Sequence, residues 1–341
     1  MACLKPNHAY KSSLVSKTTG KNKVIVVDTD EAYKLIAKGV DVFPVRCGQC
    51  IGCRLDNARE WATKMMCEYQ LHDESIFLTL TYDDEHLPED GSLHPEHLSS
   101  FIKNLRRQIE YHQGDIKIRF YGCGEYGDQY SRPHFHVIIF GWRPSDGRRY
   151  SDKLYTSRFI EKIWKRGWCP YGNVTFESCA YVARYVTKKV TGKMADFYYD
   201  GLEPEFARMS RRPGIGKGFF EKYQSQLIRD DYIVVRDGIK VPLPRYFNKI
   251  FEEYYPSKYE EIKSQRNEQR ERKFHADVYD NYDFVKYRKE LNPDFDVTSF
   301  DSDKLRSLEQ DFYEFHINPI KEEVLVGKQK LLKRGYENGD S

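Results

Sequence analysis

Long apolar runs are missing from this chain of 341 residues. No window approaches 18 consecutive apolar residues, and the opening MACLKPNHAYKSSL has no apolar stretch of the kind a signal peptide carries. The expectation is a cytoplasmic protein with no membrane partner. Cysteine is sparse, 8 residues, which excludes a disulfide scaffold and leaves thiols or metal ligands in a reducing compartment. Charge of one sign is also lacking. Lys and Arg number 55 against 52 Asp and Glu, so the net +3 gives no whole-protein field for nucleic acid. No repeat or low-complexity tract is visible. The run Gly214-Ile215-Gly216-Lys217-Gly218 is not a Walker A loop, because its spacing is wrong and no Ser or Thr follows the Lys.

What is present is aromatic and soluble in character: 26 Tyr against 4 Trp, 40% hydrophobic and 31% charged residues. That composition excludes wholesale disorder. The length predicts one principal domain of roughly 150 residues with appendages. Residues 1–45 hold no long periodic segment. From Arg54 to about Leu71 apolar residues recur at three and four, which predicts a helix. Ser75 to Tyr82 reads as a central strand, Glu96 to Tyr111 as a helix, Ile116 to Tyr121 and Pro133 to Trp142 as an antiparallel strand pair joined by a Gly-bearing connection from Gly122 to Ser131. Leu154 to Arg166 reads as a helix, Asn173 to Phe176 as a strand, and Ala180 to Val190 as a further helix. The order β-α-β-β-α-β-α predicts an α+β fold, a ferredoxin-like or RNA-recognition-like antiparallel sheet with helices on one face. Beyond Thr191 the pattern loosens to a hairpin turning at Asp237-Gly238 and a charge-laced helix within 259–289. The expected domains are a Cys-rich segment over 1–53, the central domain over 54–222 and an accessory region over 223–341.

His134 and His136 flank Phe135 on a predicted strand, so both imidazoles face one side about 7 Å apart at the backbone. Glu125, nine residues upstream on the connection, is brought beside them by antiparallel pairing. Two neutral imidazoles and a carboxylate suit Mg²⁺ or Mn²⁺, which would act as a Lewis acid on a phosphodiester. Two packed strand histidines are the plainer alternative. On the last predicted helix Tyr181, Tyr185 and Lys188 share one stripe, opposite the core-facing Val182, Ala183, Val186 and Val190. A nucleophilic tyrosine needs a nearby cation, which Lys188 supplies; a pair of tyrosines edging the core is the structural alternative.

The stretches Arg132 to Gly141, Phe77 to Tyr82 and Tyr181 to Lys189 together resemble the three ordered motifs of rolling-circle replication initiators, the HUH endonucleases. The paired tyrosines, Cys47 to Arg54 and Met209 to Gly216 are most similar to the initiators of gokushovirus-like microviruses, small single-stranded DNA bacteriophages. The resemblance covers about residues 1–220. It implies a metal-dependent nickase in the cytoplasm of a bacterial host. His134, His136 and Glu125 would be its ligands, and one of Tyr181 and Tyr185 would attack origin DNA to give a 5′-phosphotyrosine and a free 3′-OH. The second tyrosine would serve the closing cut, and the ends would be rejoined. Host DNA polymerase and a host helicase would be partners.

Cys47, Cys50 and Cys53 follow Cys-x2-Cys-x2-Cys, one ligand short of a tetrahedral Zn²⁺ site, with Cys3 the candidate fourth. Reduced thiols or an iron–sulfur cluster are the alternatives. Basic residues gather near the histidines and tyrosines, eight Lys and Arg against three Asp and Glu from Arg143 to Arg166, and nine against five from Arg184 to Lys222. That suits a phosphate-tracking surface, with Arg184 and Lys189 on it and Tyr121, Tyr126 and Tyr130 placed to stack unpaired bases. Three other readings compete: a non-catalytic nucleic-acid-binding module on the same sheet, a plasmid relaxase or transposase of the same chemistry, and a small-molecule metalloenzyme of cupin type. The helix-rich order argues against the last.

Overall fold

The computed structural model describes residues 3–16, 20–127, 130–188, 195–235 and 238–337; the side chains of 185–188, 196 and 329–337 lie outside that description. Two compact units divide the chain, Asn57–Tyr259 on one side and Met1–Asp56 with Glu260–Ser341 on the other.

The N-terminal part of the split unit holds β1 (Asn7–Val15), β2 (Asn22–Val27), α1 (Thr29–Ala37), β3 (Val42–Val45) and the start of α2 (Ile51–Tyr69). The strands form an antiparallel sheet in the order β2-β1-β3. The sequence reading missed it, because β1 (NHAYKSSLV) buries only Ala9 and Ser12 and so carries almost no apolar alternation.

In the other unit follow β4 (Ser75–Leu80), α3 (Pro95–Gln113), β5 (Arg119–Tyr126), β6 (Pro133–Phe140), β7 (Arg148–Arg149), β8 (Tyr155–Thr156), α4 (Arg158–Trp164), β9 (Tyr171–Asn173), α5 (Phe176–Lys188), α6 (Ala195–Tyr199), β10 (Phe206–Met209), α7 (Lys217–Asp230), β11 (Tyr232–Val234), β12 (Lys240–Pro242) and α8 (Arg245–Tyr254). Among the described residues the main sheet has seven strands, in the order β10-β5-β6-β4-β9-β8-β7, antiparallel at each pairing. The predicted α+β class with a central antiparallel sheet and flanking helices is the observed one.

Helices cover both faces, where the order of elements suggested one. Ile76, Leu78, Leu80, Phe135, Val137 and Ile139 pack beneath Leu98, Phe101, Ile102 and Leu105 of α3 and Ile160 and Trp164 of α4. On the other face Tyr121, Cys123, Ile138 and Phe140 meet Ala58, Ala62, Met65 and Met66 of α2 and Cys179, Val182 and Ala183 of α5. Both strand faces are apolar, and each large side chain so buried contributes about 1.5–3 kcal/mol, so neither face is left to water.

Two glycines explain why β5 runs further than predicted. Gly122 and Gly124 read as a connection, yet both lie inside the strand. A Cβ at Gly124 would stand 2.7 Å from Phe206 Cε1, and one at Gly122 3.2 Å from Leu98 Cδ2, so these glycines admit neighbouring side chains rather than turn the chain. Glu125 therefore sits on the strand itself.

The rest of the split unit is helical: α9 (Pro256–His275), a π-helical stretch Ala276–Asn281, α10 (Phe284–Leu291), α11 (Ser302–Phe312) and α12 (Asn318–Glu337). Val278, Phe284, Phe295, Phe312 and Ile317 form its core. No helix among the described residues is long and apolar enough to cross a membrane.

Candidate metal centre and active site

Register decides this site. In the β5–β6 ladder Glu125 pairs with His134 and Cys123 with His136, and in the β4–β6 ladder Thr79 pairs with His136. Side chains of directly paired residues emerge on the same face, so Glu125, both histidines and Thr79 converge on the face that α5 covers. Glu125 Oε1 lies 2.7 Å from His134 Nε2 and 2.9 Å from His136 Nε2. Glu125 is 2% exposed and His136 6%.

The remaining ring nitrogens are anchored. His134 Nδ1 lies 3.0 Å from the Arg132 carbonyl oxygen, and His136 Nδ1 lies 3.1 Å from Thr79 Oγ1. A carbonyl accepts only, so His134 carries its proton on Nδ1, and the other nitrogen faces the carboxylate. Ligating histidines are held in this way, with a fixed tautomer and Nε2 turned to the ligand position. Burial acts to push the Glu125 carboxyl up, but hydrogen bonds from His134 and His136 and their charge outweigh it and hold the group below the usual carboxylate range. Its second oxygen, Oε2, is buried with no hydrogen-bond partner among the described residues. Three ligand atoms within 4.8 Å of one another, two imidazoles and a carboxylate with an orphaned oxygen, fit a divalent cation.

Tyr181 comes to this centre from α5. Its ring meets His136 edge to face at 5.1 Å between centroids and Phe77 at 6.3 Å, while Phe77 stacks flat on His136 at 5.5 Å. Arg184, one turn on, holds its guanidinium 6.0 Å from the Tyr181 ring centre. The helix forms as predicted, with Val182 and Ala183 buried in the core. Tyr185 and Lys188 belong to α5, but their side chains lie outside the described residues, and so does Lys189 entirely.

Among the aromatic residues expected to stack on bases, Tyr121 requires correction. It is fully buried, packed on Trp61 at 5.0 Å between centroids, because Tyr121 faces α2 across the sheet. Tyr126 is half-buried, and its hydroxyl ties loops together, accepting from Leu93 N at 3.0 Å and donating to the Glu203 carbonyl at 2.8 Å. Tyr130 is exposed. Sequence reasoning missed Thr79 and Phe77 as parts of the site; only the strand register joins them to His136. Cys3, Cys47, Cys50 and Cys53 do come together, in the split unit.

An antiparallel sheet presenting two histidines and a carboxylate beside a helix-borne tyrosine defines an α+β protein with a candidate cation centre. Similarity to known proteins names the family. The family profile for the replication-associated protein ORF2 matches residues 75–194. Replication-associated protein VP4 of Bdellovibrio phage phiMH2K is 36% identical over 273 residues, 76% of this chain and 85% of that protein. Replication-associated protein ORF2 of Spiroplasma virus 4 is 33% identical over 266 residues, 74% of this chain and 81% of that protein. Replication-associated protein ORF4 of Chlamydia phage 1 is 35% identical over 218 residues, 61% of this chain and 53% of that protein. No solved structure matches. The chain belongs to the phage replication-associated proteins, as its microvirus-like motifs implied.

Proposed function

We propose that this protein initiates rolling-circle replication by nicking single-stranded origin DNA through a tyrosine and later rejoining the ends. The observation that carries this reading is the placement of the Tyr181 ring against His136, within the cluster of Glu125, His134 and His136. Mg²⁺ or Mn²⁺ held by those three residues would polarise the scissile phosphate and neutralise charge developing on it.

The chain's own groups do the rest. The Arg132 carbonyl and Thr79 hydroxyl keep the two imidazoles turned to the ligand position, and Phe77 fixes the plane of His136. A tyrosine oxygen bonds to phosphorus and the bond from phosphorus to the 3′-oxygen breaks. The phenol loses a proton and the departing 3′-oxygen gains one, so atoms and charge balance. One phosphodiester replaces another, which conserves the energy that later rejoins the strand. Arg184 sets a positive charge beside the Tyr181 ring, where phenolate character develops. Tyr185, one turn further along α5, is the second nucleophile, and Lys188 orients the scissile phosphate. Arg184, Lys189 and the exposed Tyr130 line the path of the strand, with the half-buried Tyr126 beside it. Host polymerase extends the 3′-OH and a host helicase unwinds ahead, docking on the charged helix within the accessory region 223–341, while 54–222 carries the chemistry. The setting is the cytoplasm of the bacterial host.

The test is a labelled single-stranded DNA covering the cognate origin, mixed with purified protein and Mn²⁺ or chelator, then run in SDS. We expect a label that stays on the protein, needs the cation, and disappears when Tyr181 and Tyr185 are both changed to Phe. Tight, metal-independent binding with no adduct on any origin-containing strand would sink the nickase and leave a binding module.

A further inference from the structure

The cysteine cluster is not used by that chemistry. Its four sulfurs lie within 4.8 Å of one another, Cys3 Sγ standing 3.5 Å from Cys47 Sγ and 3.9 Å from Cys50 Sγ. Disulfide sulfurs are about 2.05 Å apart, and no disulfide joins the described cysteines. Four thiolates each about 2.3 Å from a single tetrahedral ion stand about 3.8 Å from one another, a value that the two measured separations bracket. An iron–sulfur cluster interposes several irons and bridging sulfides, which spreads its thiolates wider than this.

The surroundings favour anionic sulfur. Backbone N–H groups of Leu4 and Cys53 point at Cys50 Sγ, each at 3.4 Å, that of Cys47 at Cys3 Sγ at 3.3 Å, and that of Cys50 at Cys47 Sγ at 3.3 Å. Cys53 lies in the first turn of α2 and Cys50 immediately precedes it, at the positive end of the helix. Gly48 takes φ +75° with open space around its Cα, so glycine is there for the backbone turn that aims Cys47 and Cys50 at one point. Cys50 and Cys53 are buried, while Cys3 and Cys47 are partly open, beside a surface depression that Lys5, Gln49 and Glu322 also line. An ion therefore has a way in.

We propose that Cys3, Cys47, Cys50 and Cys53 bind one Zn²⁺ as a closed tetrathiolate with a structural role. Four protein ligands fill the tetrahedral shell and leave no position for substrate. The ion fastens the N-terminal segment to the turn before α2. There Leu4 is buried beside Leu325, its carbonyl accepts from Asn318 Nδ2 at 3.2 Å, and Lys5 pairs with Glu322 at 2.9 Å, so α12 is held by the same clasp. The proposal stands independently of the nicking reaction.

The experiment is metal analysis of the full chain purified without added metal, followed by replacement with Co²⁺. We expect one zinc per chain that is released by a thiol-blocking mercurial, and a Co²⁺ form with tetrahedral ligand-field bands and strong sulfur-to-cobalt charge transfer. Because the histidine centre also takes divalent ions, Cys47→Ser and Cys50→Ser should each abolish the charge transfer while His134→Ala leaves it intact. Should the cysteine variants fail to fold, the spectrum of the wild-type Co²⁺ form decides alone. Iron with acid-labile sulfide, a Co²⁺ spectrum without sulfur charge transfer, or freely reactive thiols with no bound zinc would each overturn the proposal.

Discussion

Glu125 and His134 face each other as direct register partners across the β5–β6 ladder, with Glu125 Oε1 2.7 Å from His134 Nε2. A strand pair, rather than a loop, thus holds the carboxylate against the imidazole, and the same oxygen reaches His136 at 2.9 Å. Rigid elements hold ligands more closely than loops do, and the cation affinity of the centre depends on that rigidity.

Glu125→Gln keeps the shape of the side chain and removes its charge. We expect Mn²⁺ affinity, read by calorimetry, to fall by more than about 100-fold, the upper end of what an outer-sphere change produces, and the protein–DNA adduct to vanish with it. Single-stranded DNA binding measured by anisotropy should persist. Unchanged Mn²⁺ affinity would remove Glu125 from the ligand set.

Thr79→Val is a subtler change at a positioning residue. It keeps volume but deletes the hydroxyl at 3.1 Å from His136 Nδ1, freeing the ring to turn. Cation affinity should drop about 10–100-fold. Thr79→Ser should recover most of it, an outcome that mere loss of packing would not give.

Lys64 points to a stability effect. Burial pulls its ammonium down to about 8, with Glu60 opposing the shift and Arg245 adding to it, while its Nζ sits 3.0 Å above the centre of the Trp61 ring. The folded state therefore binds this proton less tightly than the unfolded chain. Its stabilising contribution is complete above the unfolded value of about 10.4 and is lost as pH falls to about 8, below which the penalty is constant. Lys64→Met should raise stability at pH 7 by about 1–3 kcal/mol, part of the desolvation cost being offset by the indole face, and should flatten the rise between about pH 8 and 10. Urea unfolding at several pH values measures both. A less stable variant at pH 7 would mean the indole contact outweighs desolvation.

Gly167 adopts φ +146°, and a Cβ there would stand 2.4 Å from Asp83 N and 2.7 Å from Thr81 O, both backbone atoms that cannot swing away. Gly167→Ala should cost on the order of 3 kcal/mol and lower the melting temperature by about 5–10 °C. A drop under about 2 °C would mean the loop relaxes freely.

Much of this protein follows from local pattern. The central strand at Ser75, helices α2, α3 and α5 and the pairing of β5 with β6 are legible because apolar residues repeat at the period of each element, and periodicity is a property of neighbours along the chain. The His-x-His spacing puts two imidazoles on one face for the same reason, as does the Cys-x2-Cys-x2-Cys run for three sulfurs. What sequence could not supply is whatever depends on which strand lies beside which. Gly122 and Gly124 read as a turn because their function is to admit Leu98 and Phe206, which arrive from elsewhere in the chain. Tyr121 read as an exposed base-stacking ring because nothing local shows that α2 covers that face. Thr79 joins the site only through the β4–β6 register, and Cys3 meets Cys47 across 44 residues. The residue types and their periods determine which chemistry this chain carries. The tertiary structure alone decides which partners share a point, because convergence across long loops is fixed by packing and register, and neither is written in any single segment.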